Sequence, residues 1–165
     1  MIKQKFILFI ISTMALSCIE SVAANKVPTD KVIVKQIGAG PAGIIMGADS
    51  IVANLTVWES DSLLPKTLSP NMCSIVQYTL CQPVMYSTDK RIYSAFYADV
   101  RLLVYNGASF LTIELDYNIN KWRLIDDKGK QICRHDLKNS ELLTIMHELW
   151  PESKNINIKY KKFTE

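Results

Sequence analysis

Residues 101–133, RLLVYNGASFLTIELDYNINKWRLIDDKGKQIC, decide the fold. Three turn signals punctuate them, at Asn106 and Gly107, at Asn118 to Asn120, and at Asp126 to Gly129. Between the first two, Leu111, Ile113, Leu115 and Tyr117 alternate with Thr112, Glu114 and Asp116. In the next run, Trp122 and Leu124 alternate with Lys121 and Arg123. Side chains of a strand point alternately to its two faces, so this pattern predicts an antiparallel meander with one buried and one wet face. The meander is expected to extend from about Ser74 to Cys133.

The buried face needs a cover, and residues 139–151, NSELLTIMHELWP, supply one. Leu142, Ile145, Met146, Leu149 and Trp150 fall on one face at helical spacing. Asn139 or Ser140 can cap the first free amides, Glu141 complements the helix dipole, and Pro151 ends the helix. Upstream, VIVKQI (32–37) predicts a strand, Ile44 to Ala53 a short helix, and LTVWES (55–60) a second strand. Pro65 and Pro70 mark a loop, and the β-branched and aromatic content of SIVQYTL (74–80) predicts a further strand. NINIKYKKF (155–163) alternates Ile156, Ile158 and Tyr160 with polar residues, as a last edge strand guarded by lysines would; a basic partner site is the alternative. The expected class is therefore α+β, with an N-terminal strand, glycine turn, short helix and strand unit, then the antiparallel meander and a C-terminal amphipathic helix.

The beginning of the chain predicts export. Lys3 and Lys5 precede an apolar run from Phe6 to Leu16, followed by small residues at Val22, Ala23 and Ala24, the layout of a signal peptide. A run of about a dozen residues is shorter than the roughly 20 that span a bilayer. Cleavage after Ala24 would leave a single domain of 141 of the 165 residues, placed in the periplasm or outside the cell. Leu16, Ser17 and Cys18 allow a second reading, lipidation at Cys18, which would anchor the chain to a membrane. Loss of Lys3, Lys5 and Glu20 lowers the formal charge from +3 to +2, which gives no reason to expect a nucleic-acid partner.

Export would expose Cys73, Cys81 and Cys133 to an oxidising compartment. An odd count leaves one thiol over. If residues 73–81 are extended, their α-carbons stand about 26 Å apart, beyond the roughly 7 Å a disulfide tolerates. Either the segment folds back, or Cys133 pairs with one of the two.

One motif could carry chemistry. In KVIVKQIGAGPAGIIMG (31–47), Gly38, Gly40 and Gly43 satisfy GxGxxG, and Glu59 follows Gly38 by 21 residues. Such glycines can allow a tight turn, close approach of a pyrophosphate and close helix packing, with the acid accepting a bond from ribose hydroxyls. The run IGAGPAGI, with VIV before it and VWE after it, resembles the N-terminal FAD- or NAD-binding Rossmann fingerprint of flavoproteins. The resemblance covers about residues 31–61. It implies FAD or NAD as cofactor, oxidoreductase ancestry, and Gly38, Gly40, Gly43 and Glu59 as binding residues.

Other candidates are weaker. His135 lies two residues after Cys133, but no further ligand completes a metal set, so no metal is expected. His147 is expected on the solvated side of its helix with Glu141, Thr144 and Glu148. The aromatic run from Tyr93 to Tyr97 could serve as a binding strip, although strand aromatics usually serve a core. Two functions follow from the residues: a small exported, non-catalytic protein acting by contact with a protein partner, and a reduced or degenerate FAD/NAD-binding protein.

Overall fold

In a computed structural model, which describes residues 31–56, 64–87 and 95–164, six strands form one sheet. The first two strands are β1 (Ser50–Leu55) and the short β2 (Lys66–Thr67). The meander follows as β3 (Val100–Asn106), β4 (Ser109–Asp116), β5 (Lys121–Ile125) and β6 (Gln131–Asp136). Their order is β2-β1-β3-β4-β5-β6, and every neighbouring pair is antiparallel. The expected signal segment with Ala24 and Cys18, together with Glu59 and Tyr93, lies outside the described residues.

The three turns fall where the sequence places them. Asn106 pairs with Ser109 across a two-residue turn in which Gly107 has φ 57°, the left-handed conformation a tight hairpin needs. Gly129 (φ 79°) serves the β5–β6 connection, where Asp126 accepts from the amides of Lys128 and Lys130 at 3.0 and 2.7 Å.

The alternation read from the sequence sets the two faces. Val100, Leu102, Val104, Leu111, Ile113, Leu115, Trp122 and Leu124 are all buried in the core. The opposite face carries a cross-strand row, Asn54, Arg101, Glu114, Arg123 and Arg134, each in register with the next. Glu114 is almost fully covered by the two arginines beside it, at 2.6 Å from Arg101 Nε and 2.6 Å from Arg123 Nε. Phe96 lies against the guanidinium groups of Arg123 and Arg134, 4.4 and 5.3 Å from its ring centre.

Among the described residues, five α-helices pack with the apolar face: α1 (Lys31–Ile37), α2 (Ala39–Met46), α3 (Pro70–Leu80), α4 (Glu141–Leu149) and α5 (Lys154–Thr164), with a 3₁₀ turn at Pro83–Tyr86. The α4 expectation holds for the helix and most of its face, with Leu149 only half-buried and Trp150 buried just past the helix end. Leu142, Leu143, Ile145 and Met146 are buried, and the Asn139 side chain accepts the Glu141 amide at 2.6 Å. Ser140 makes no such side-chain cap.

Four segments depart from the sequence reading, three of them because a helical period buries more than an alternating one. VIVKQI is helical in α1, where Ile33 and Ile37, four residues apart, both enter the core and leave Lys35 and Gln36 in solvent. The meander begins at Val100 rather than near Ser74, because SIVQYTL belongs to α3. There, Ser69 caps the Met72 amide and Pro70 opens the first turn, while Val76, Thr79 and Leu80 face inward. The C-terminal tail is α5 and not an edge strand: Ile156 is fully buried while Ile158 is exposed, as helical spacing requires and alternation forbids. The expected helix from Ile44 to Ala53 stops at Met46, and Ser50–Leu55 continues as β1 with Ile51 and Ala53 buried.

Candidate functional site

α3 and α4 lie side by side and leave a groove of about 590 Å³ between them, lined by Ser74, Ile75, Tyr78, Glu141, Thr144, Ile145 and Glu148. Ile75 and Tyr78 are each 41% exposed, although both are large apolar side chains. They sit one turn apart on α3, the face opposite Val76 and Leu80. Across the groove, Glu141 and Glu148 are two helical turns apart on α4, about 10 Å along its axis, with Thr144 and Ile145 between them. Thr79 donates its hydroxyl to Glu141 Oε2 at 2.9 Å, and Asn139 Nδ2 approaches the same oxygen at 3.4 Å. These bonds fix the carboxylate at the groove wall and tie α3 to α4. Glu148 projects into solvent.

The glycine segment has a different geometry from a phosphate turn. Gly38 (φ 86°) links α1 to α2, so a helix and not a strand leads into it. A side chain at Gly40 or Gly43 would meet nothing within 4 Å. The tight position is Gly47, where an added Cβ would come within 2.6 Å of Asn106 Nδ2. That amide in turn donates to the Gly43 carbonyl at 3.2 Å, pinning α2 to the first hairpin. Gly40, Pro41 and Ile44 line a cleft of about 620 Å³ whose far wall includes Asp126 and Asp127. Gly38, Gly40 and Gly43 therefore stand together on one segment, while Glu59 lies outside the described residues.

No disulfide joins Cys73, Cys81 and Cys133. Cys73 and Cys81 belong to one helix and its C-cap, where eight residues rise about 12 Å, so the helix itself keeps them beyond bonding distance. Burial pushes the Cys133 thiol up to about 11 and also raises that of Cys73. Both are thereby held as protonated thiols, which are weak nucleophiles.

His135 sits on β6 among aromatic rings, 5.4 Å from the Tyr86 ring centre and 5.8 Å from that of Trp122. Burial lowers its pKa; Asp136 opposes and Lys121 adds to the shift. Among the described residues, no group of three His, Cys, Asp or Glu side chains could hold a metal ion. His147 stacks on Tyr160 of α5 at 4.2 Å instead of standing alone in solvent. Of the aromatic run, Tyr97 is 74% exposed and Phe96 is held by arginines, and residues 95–98 are not a strand. No helix among the described residues is long and apolar enough to cross a membrane.

Comparison with protein-family models, with curated proteins and with solved structures finds no match. The groove residues Ile75 and Tyr78 are the ones that sequence reasoning misses. Their signal was present in Ser69-Pro70, a cap followed by a first-turn proline, which marks a helix start and shifts the period of the next ten residues from two to 3.6.

Proposed function

We propose that the protein is a small exported, non-catalytic module that acts by protein contact, and that the groove between α3 and α4 is its contact surface. The observation that carries this reading is the pair Ile75 and Tyr78, which stay in water beside a core that covers most other large apolar side chains. An exposed apolar strip with a polar rim is the usual mark of an interaction site, because covering it releases apolar surface while the rim fixes orientation. Tyrosine supplies much contact area at small entropic cost. The test is affinity capture with wild type and with the Ile75→Asp/Tyr78→Asp variant, melting temperatures being matched first. A protein captured by wild type and lost by the variant supports the reading. A partner retained by the variant but lost by Tyr97→Asp moves the contact to that more exposed aromatic.

A second reading rests on the glycine segment. A cleft of about 620 Å³ lies within the range of small-molecule sites, and Gly40 is in its wall, which favours a reduced FAD/NAD-binding protein of flavoprotein descent. Asp126 and Asp127 weigh against a pyrophosphate there, since like charges repel in a partly closed cleft. Titration decides it: FAD or NAD at 100 times its dissociation constant would add about 2.7 kcal/mol of stability. An unchanged melting temperature would discard the nucleotide.

A further inference from the structure

Where α5 meets the β4–β5 turn, a second cavity of about 390 Å³ is lined by Tyr117, Asn118, Asn120, Lys159, Lys162 and Phe163. Its chemistry differs from that of the groove. Among the described residues, no carboxylate lines it and neither lysine has an ion-pair partner. Lys159 and Lys162 are three residues apart on one helix, so their ammonium groups project over the same patch. Lys159 Nζ donates to Asn118 Oδ1. Asn118 Nδ2 is turned the other way, towards the Asp99 carboxylate at 3.4 and 3.5 Å. Asp99 is itself buried and also accepts from the Tyr117 amide at 2.7 Å and from Asn155 Nδ2 at 3.1 Å. Asp99 thus orients Asn118, and Asn118 holds one ammonium at the cavity wall.

Tyr117 is a further polar residue of the lining. Tyr117 is 5% exposed, and its hydroxyl is buried with no hydrogen-bond partner among the described residues. Buried polar groups are nearly always paired, and an orphan calls for a specific explanation. Burial and the nearby Asp99 both raise the pKa of this phenol, so it keeps its proton and can donate it to an acceptor that comes within reach.

We infer that this cavity binds a phosphate group, on a small molecule or a lipid headgroup, with Lys159 and Lys162 supplying the countercharge and the Tyr117 hydroxyl a neutral donor. Two compact ammonium charges suit a dianion, and phosphate oxygens accept from several donors at once. This site is separate from the α3–α4 groove and does not depend on it.

The full chain is titrated calorimetrically at fixed ionic strength with inorganic phosphate. It is also sedimented with phosphatidylcholine vesicles with and without phosphatidic acid. Wild type is expected to bind at least one of the two phosphate probes, and Lys159→Met/Lys162→Met to lose at least tenfold in affinity for it. Phosphate binding assigns the small ligand, and sedimentation that requires phosphatidic acid assigns the headgroup. Tyr117→Phe is expected to weaken binding about threefold while its ligand-free melting temperature stays equal or rises, since the orphan hydroxyl is gone. The inference is overturned if wild type binds neither probe, or if the double lysine variant binds as wild type does. Melting curves of each variant separate lost binding from lost folding.

Discussion

Lys121 and Asp136 face each other across β5 and β6 with only 5% and 8% of their side chains exposed, and a second cation, Lys138, stands 3.7 Å from the same carboxylate. Removing one partner of such a pair strands the other charge, which generally costs about 3–5 kcal/mol. Lys138 will offset part of this, so Lys121→Met should lower the urea-unfolding free energy by about 3 kcal/mol. Nearby, His135 makes a pH prediction. Its imidazole is held neutral by burial against Tyr86 and Trp122, with Asp136 and Lys121 acting in opposite directions. The unfolded chain takes up the proton near pH 6.5 and the folded chain only at lower pH, so stability is intact above about 6.5 and falls as pH drops below it. The difference in urea midpoint between pH 7.5 and pH 5 should therefore shrink in His135→Phe. The alkylation rate offers a third check: Cys133, with its pKa raised to about 11, should react with iodoacetamide at pH 8 far more slowly in the folded chain than in guanidinium.

At the scale of elements, the meander was legible because alternation is clean within residues 111–117 and again within 121–124, and its turns carry Gly107, Asn120 and Gly129, the residues that tolerate positive φ. α4 was legible for the matching reason, a clean helical stripe with a cap and a stop. α1, α3 and α5 were not. VIV and SIVQY are rich in residues that favour strands, and tertiary burial of Ile33, Ile37, Val76 and Leu80 overrides that preference. In α5 the alternation of isoleucine with polar residues imitates an edge strand, and the deciding contact of Ile156 with the core is non-local. The glycine segment was legible as a motif, but its spelling does not specify whether a strand or a helix enters it. This yields a prediction about α2. Gly43 lies in a helix with open space around its α-carbon, so Gly43→Ala should stabilise the protein by up to about 1 kcal/mol. A close-packed Rossmann glycine would give the opposite sign. Gly47→Ala, by contrast, must displace the Asn106 amide and should destabilise.

For the whole molecule, one antiparallel sheet has its apolar face closed by helices and its other face crossed by a charged row. The helices complete the core through Val76, Leu80, Leu142 and Ile145 and still leave Ile75 and Tyr78 outside. The groove was hidden from the sequence because it exists only when two helices 60 residues apart come together, and one of them reads as a strand. The central claim is that this groove meets another protein, and photo-cross-linking from a single position tests it most directly. With a photo-reactive phenylalanine replacing Tyr78, irradiation of cells producing the full chain should give a discrete adduct with a second protein. The same residue at Lys128, in the exposed β5–β6 turn, should give none. The absence of any adduct at Tyr78, or the same adducts at both positions, would contradict the account.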